Sequence, residues 1–180
     1  MDTILCDQGY IISKKKFSDK IIKKLKKDLN VKPFIHGSRG RFVKSFKIYK
    51  ENNDKLCIPK FYGIENFGKP KKVDLIKGVK IKLKFKGSLR DYQKSVINDV
   101  IPKIKNQEGG TISLPPGRGK TVIACKLISK LKRKTLVIVH KTFLLNQWTK
   151  RIQQFLPDAR VGIIQGKKID TEDKESGEER

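Results

Sequence analysis

The sequence predicts an α/β protein, a parallel sheet with flanking helices, preceded by a small α+β unit of its own. Three observations predict it. After residue 87 the chain reads helix, strand, glycine-rich loop, helix, strand, helix, strand, the alternation that builds a parallel sheet covered by helices. The loop Leu114-Pro115-Pro116-Gly117-Arg118-Gly119-Lys120-Thr121 joins one of those strands to one of those helices. Ahead of both, Val79, Ile81, Leu83 and Phe85 alternate strictly with Lys80, Lys82, Lys84 and Lys86, the period-two signature of a strand with one apolar and one lysine face.

Taken in order, Ser18-Asp19 is a helix start, and Ile21, Ile22, Leu25 and Leu29 follow at helical spacing with Lys23, Lys24, Lys26 and Lys27 off that stripe. Pro33 and Gly37 punctuate a loop, residues 42–49 read as a strand, and a second short strand is expected over residues 56–61. Gly63, Gly68 and Pro70 mark another loop. The alternating segment closes this first unit, residues 1–86, and Gly87-Ser88 is the expected joint. In the second unit, residues 87–166, Leu89, Tyr92, Val96, Ile97, Val100, Ile101 and Ile104 form a helical stripe that Pro102 is expected to kink or end. Gly109-Gly110 turns the chain into a strand at 111–114. A helix then runs from Lys120 to about Leu131, followed by a buried-type strand at 135–139. Phe143, Leu144, Gln147, Trp148, Ile152 and Phe155 give an amphipathic helix, with Trp148 read as helix core, and a third strand is expected at 161–164. The acidic end, residues 167–180, reads as a solvated, disordered tail.

Composition narrows the function classes. The 180 residues carry a net charge of +25, with +16 on residues 1–86, +11 on 87–166 and −2 on 167–180. Small compact domains are designed near a net charge of about 2–8, so an excess of this size points to a polyanionic partner and raises its local concentration. A hydrophobic share of 37% supports a folded core. No apolar run approaches membrane-spanning length, and the first residues carry no signal-peptide apolar stretch. Cys6, Cys57 and Cys125 form neither a Cys-x-x-Cys pair nor an even set, which argues against a disulfide framework and a structural zinc site. The expectation is a soluble intracellular protein that engages nucleic acid and no membrane.

The loop at 114–121 carries the chemistry. Gly117 and Gly119 let the backbone bend so that successive N–H groups face phosphate oxygens, and the helix that follows adds the positive end of its dipole. Lys120 can reach the β- and γ-phosphates of ATP, and the Thr121 hydroxyl can ligate Mg²⁺. Pro116 and Arg118 complete the cradle. The strict pattern asks for glycine where this chain has Leu114. Upstream, Leu89-Arg90-Asp91-Tyr92-Gln93 places a glutamine whose amide offers both a donor and an acceptor, as an adenine edge requires. The lysines at 80, 82 and 84 have two readings, protection of an exposed strand edge or a phosphate-tracking ridge.

Together, Leu-Arg-x-Tyr-Gln, Gly-Arg-Gly-Lys-Thr and the run from Thr135 to Trp148 resemble superfamily 2 helicases, most of all those of large DNA viruses and their relatives in DNA repair and transcription. The resemblance covers residues 87–166 well and residues 1–86 loosely. It implies the front part of an incomplete RecA-like domain, use of ATP with Mg²⁺, and movement on nucleic acid, read as DNA. It makes Gln93 the adenine-reading glutamine with Arg90 assisting, and it puts His140, Lys141 and Thr142 where the family holds strand phosphates. A strand-end histidine satisfied by its neighbours is the other reading of His140.

The family splits ATP with an acidic Asp-Glu motif at a strand end, and these 180 residues contain none. Asp170, Glu172, Asp173 and Glu175 lack the apolar strand that such a motif follows. The expected protein is therefore a helicase front part that binds ATP weakly and hydrolyses it poorly or not at all: a fragment, a truncated gene product, or one piece of a split protein whose remaining helicase part is a separate chain and a further partner. A basic nucleic-acid-binding module without a catalytic cycle, and an AAA-type or other phosphate-loop ATPase, are the competing readings.

Overall fold

The computed structural model describes residues 3–33, 44–76, 78–107 and 109–170. The protein is α/β, with a mixed sheet and flanking helices, and the chain divides into two compact units, Met1–Lys77 and Gly78–Arg180. The alternating lysine segment falls in the second of these.

In the first unit, β1 (Ile4–Cys6), β2 (Gly9–Ser13) and α1 (Asp19–Asp28) are followed by β3 (Asn30–Val31), β4 (Phe46–Lys47), β5 (Lys50–Glu51) and β6 (Lys55–Ile58). Then come α2 (Lys60–Phe67) and β7 (Lys72–Asp74). Five strands form a sheet in the order β5-β6-β2-β1-β7, all neighbours antiparallel except the parallel pair β1 and β7. Alternation explains the core: Tyr10 and Ile12 of β2 and Leu56 and Ile58 of β6 point to one face and are buried, and Leu5 joins them. Ile22, Leu25 and Leu29, one face of α1, close that core. Ile21, expected on the same stripe, is 43% exposed, because it lies at the edge of the face that Ile22, Leu25 and Leu29 share. Helix α2 approaches so closely that a Cβ on Gly63 would penetrate the Tyr10 ring.

Two strand expectations here need correction. Over residues 42–49 only Phe46–Lys47 is paired, to β3, and residues 42 and 43 lie outside the described residues, as does Gly37. Over residues 56–61 the strand stops at Ile58 and a helix starts at Lys60, because Pro59 cannot donate to a ladder but suits a helix entry.

The second unit contains α3 (Asp91–Gln107), α4 (Lys120–Leu131), α5 (Thr142–Phe155), β8 (Ile163–Gln165) and β9 (Lys168–Asp170). Helix α3 runs through Pro102 without ending there. Proline removes one backbone bond, and packing of Val96, Ile97, Val100 and Ile101 against Ile123 and Leu127 of α4 outweighs that loss. Residues 111–114 and 135–139 form no strand ladder among the described residues. Their side chains show why: Ile112 and Leu114 pack on the α3/α4 core, whereas Leu136 is 76% and Ile138 85% exposed with no neighbouring strand against them. Residues 79–86 keep the predicted alternation in exposure, with Ile81, Leu83 and Phe85 half-buried and Lys80, Lys82 and Lys84 exposed. Val79 departs from it at 65% exposed. Their pairing is limited to one antiparallel bridge, Lys80 to Arg133, flanked by backbone bonds from Ile81 N–H to the Lys132 carbonyl and from Lys134 N–H to the Val79 carbonyl. Phe85 stacks on Phe155 at 5.7 Å and anchors the end of this segment on α5.

The third expected strand forms a hairpin instead of a sheet member. β8 pairs antiparallel with β9 across Gly166-Lys167, and Gly166 takes φ +57°, as the first position of a two-residue hairpin turn allows. Residues 168–170, expected to belong to the tail, are thus paired, and the rest of that tail lies outside the described residues.

Candidate nucleotide and nucleic-acid sites

The loop at 114–121 connects the α3/α4 core to the N-terminus of α4. Gly117 (φ +75°) and Gly119 (φ +67°, ψ +37°) both sit in left-handed conformations. Gly119 is the residue just before the helix, and its carbonyl already accepts the first helical bond, from Ile123 N–H. The α4 N-terminus is therefore open toward the loop, with no side chain capping it. Lys120 Nζ folds back on the loop and donates to the Leu114 carbonyl at 2.8 Å and the Pro115 carbonyl at 3.0 Å. Thr121 follows it, half-buried. Pro116 and Arg118 are exposed.

Helix α3 brings Gln93 against this loop. Gln93 is 5% exposed. Its Oε1 accepts the Arg90 N–H at 3.0 Å, and its Nε2 donates to the Arg118 carbonyl at 3.4 Å. An amide has two donors and two acceptor lone pairs, so one of each remains for a ligand. Arg90 thus touches Gln93 through its backbone N–H. Contact is tight: a Cβ on Gly119 would lie 2.5 Å from Gln93 Nε2. Tyr92, which sequence reasoning left out of the candidate residues, touches the same loop. Its hydroxyl donates to the same Arg118 carbonyl at 3.2 Å, and the Arg118 guanidinium lies over its ring at 5.5 Å. The signal was its place beside Gln93 in one motif.

The second group of expected residues is on exposed surface. His140 and Lys141 are exposed, and Lys141 is the residue before α5, its carbonyl accepting from Leu144 and Leu145 N–H. Thr142 Oγ1 accepts a bond from Gln165 Nε2 at 2.9 Å, which ties the start of α5 to the β8–β9 hairpin. Lys80, Lys82 and Lys84 project from the segment bridged to Arg133. No hydrogen bond or ion pair among the described residues links these residues to the loop at 114–121.

The nucleotide expected at the loop fits the residues found there. Two left-handed glycines, an uncapped helix N-terminus and a lysine satisfied only by loop carbonyls form a cradle for an anion. Among the described residues no group of three or more His, Cys, Asp or Glu could hold a metal ion by protein ligands alone. Cys125, inside α4, has its thiol pushed up to about 11 by burial and is no nucleophile. No helix among the described residues is long and apolar enough to cross a membrane.

Residues 86–179 match the protein family described as type III restriction enzyme, res subunit. Over 165 residues, 88% of this chain, the sequence is 36% identical to a protein of Acanthamoeba polyphaga mimivirus named as an ATP-dependent RNA helicase. It is 31% identical over 173 residues to a protein of Invertebrate iridescent virus 3 named as a helicase. It is 39% identical over 84 residues, 47% of this chain and 18% of the relative, to a DNA 3'-5' translocase of Sulfurisphaera tokodaii. The chain spans 32% of the first relative's length and 52% of the second's.

Proposed function

Since the chain belongs to the helicase family of the type III restriction enzyme res subunit, we propose that it is the amino-terminal part of an ATP-dependent superfamily 2 DNA helicase. In this reading it binds ATP at the loop 114–121 and nucleic acid on its basic surfaces. The observation that carries the reading is the convergence of Gln93, Arg118, Gly119 and Lys120 at the start of α4. The backbone N–H groups after Gly117 and Gly119 bind phosphate oxygens. Lys120 exchanges the Leu114 and Pro115 carbonyls for phosphate, trading neutral acceptors for charged ones. Gln93 orients the base with its remaining donor and acceptor. When bound, ATP would supply the phosphoanhydride, and Thr121 is the hydroxyl this chain would offer to Mg²⁺.

His140, Lys141, Thr142 and Lys80, Lys82 and Lys84 are proposed to hold nucleic-acid phosphates, with DNA as the partner. The reading also holds that these 180 residues turn ATP over poorly, because they include no Asp-Glu motif to position water and metal. Titration calorimetry with MgATP and MgGTP tests the site. Saturable ATP binding lost in Lys120→Ala, with ATP-over-GTP preference lost in Gln93→Ala, supports it. Equal ATP affinity in the wild type and Lys120→Ala overturns it.

A further inference from the structure

Helix α1 carries a second charged surface, far along the sequence from the residues assigned above. At about 100° per residue, Lys20, Lys23, Lys24 and Lys27 fall within an arc of roughly 100°. That arc is centred opposite the face that buries Ile22, Leu25 and Leu29. All four lysines are exposed, and none has an ion-pair or hydrogen-bond partner among the described residues.

Neighbouring lysines of the same unit behave differently. Glu51 binds both Lys14 and Lys26, the latter at 2.7 Å, and Asp54 binds Lys15 at 2.8 Å. Asp28, at the end of α1, accepts the Tyr62 hydroxyl. Glu51, Asp54 and Asp28 are thus committed elsewhere; Asp19, in the first turn of α1 four residues before Lys23, lies beside the stripe, and the four lysines outnumber it. The stripe also works against its own helix: Lys20 with Lys24, and Lys23 with Lys27, are like charges at i,i+4, a spacing that destabilises a helix.

We propose that this stripe is a docking surface for the phosphate backbone of duplex nucleic acid. Charge complementarity selects a polyanion, and the rigid row, about 10.5 Å from Lys20 to Lys27 at 1.5 Å per residue, presents fixed charges to a backbone. Single-strand binders add aromatic stacking platforms, and the exposed face of α1 has no aromatic residue, so duplex is the form it suits. Lacking any group that reads a base edge in a groove, it binds without sequence preference. The inference rests on the nucleic-acid part of the proposed function.

The test is fluorescence anisotropy of the full chain with a labelled 20-base-pair duplex across a series of KCl concentrations. One variant carries Lys20→Gln, Lys23→Gln, Lys24→Gln and Lys27→Gln. A control carries Lys32→Gln, Lys44→Gln, Lys69→Gln and Lys71→Gln, removing the same charge from exposed sites off the stripe. The slope of log affinity against log salt is expected to become shallower by about 3.6 in the stripe variant, 0.9 for each of the four lysines, and by less than about 1 in the control. Equal changes in the two variants overturn the inference and leave the nucleic-acid reading intact. A wild-type chain whose binding ignores salt overturns that reading itself. Polyglutamate competing as well as duplex at equal charge also overturns the inference, in favour of an acidic protein partner. Glutamine keeps helix propensity, so the stripe variant should melt no lower than wild type. Should it unfold, Lys20→Gln with Lys24→Gln must lower the slope by about 1.8.

Discussion

Gly119→Ala separates a structural glycine from a replaceable one. The residue sits at φ +67° and ψ +37°, a left-handed conformation that costs about 1–2 kcal/mol for a residue with a Cβ. The new methyl would also lie 2.5 Å from Gln93 Nε2, so the amide must withdraw. Gln93 is 5% exposed, and leaving its buried amide without the Arg118 carbonyl adds about 1–3 kcal/mol. The sum, about 2–5 kcal/mol, is a large share of the roughly 5–15 kcal/mol that holds a domain together. Urea unfolding followed by Trp148 fluorescence reads it as a fall in midpoint at unchanged slope. MgATP titration on the same protein should show a loss of ATP-over-GTP preference. A Gly119→Ala chain as stable as the wild type, with intact preference, would refute the reasoning, because it would mean that Gln93 does not depend on a side-chain-free loop.

Further expectations come from the first unit and from the thiols. Gly63→Ala forces a methyl into the Tyr10 ring and should destabilise the first unit by about 1–3 kcal/mol, read as a lower melting temperature without loss of nucleotide binding. Hydrogen bonds from Lys14 and then Lys26 hold the Glu51 carboxyl below its ordinary value of 4.5. Their contribution is present above pH 4.5 and is lost as pH falls below that through the lower folded value. The stability gap between wild type and Glu51→Gln should therefore shrink from pH 7 to pH 3, and a constant gap would contradict the pairing. Cys125 is fully buried, with its thiol pushed up to about 11. At pH 8 its thiolate is scarcer than that of an ordinary cysteine by about two orders of magnitude. It should be the last of the three thiols alkylated by iodoacetamide, and rapid labelling in the native state would contradict its burial.

Where the sequence could be read, the reason was periodicity or a local motif. Helical spacing located α1 and α4, because each buries one face on a core of its own unit, and α5, whose Leu144, Trp148, Ile152 and Phe155 are half-buried. The loop glycines announced themselves through the positive φ that only they take cheaply. Gln93 was legible as a donor–acceptor pair, but its contact with the Arg118 carbonyl spans 25 positions and no local pattern encodes it. Strands were harder, since a strand exists through its neighbour. Residues 135–139 have the composition of a buried strand, yet Leu136 and Ile138 face solvent. The β8–β9 hairpin was missed although Gly166 between two alternating runs signals it, because the acidic character of the chain beyond drew residues 167–170 into the tail. Pro102 shows the opposite error, a local rule overridden by the packing of α3 on α4.

The most direct test of the central claim is ATP turnover by the purified chain, with and without duplex DNA, beside Lys120→Ala and with MgATP binding measured on the same samples. The account predicts saturable binding that the variant lacks, and turnover at background in both proteins whether or not DNA is present. DNA-stimulated turnover that Lys120→Ala abolishes would contradict it, and would mean that these residues complete a hydrolytic site without an Asp-Glu motif.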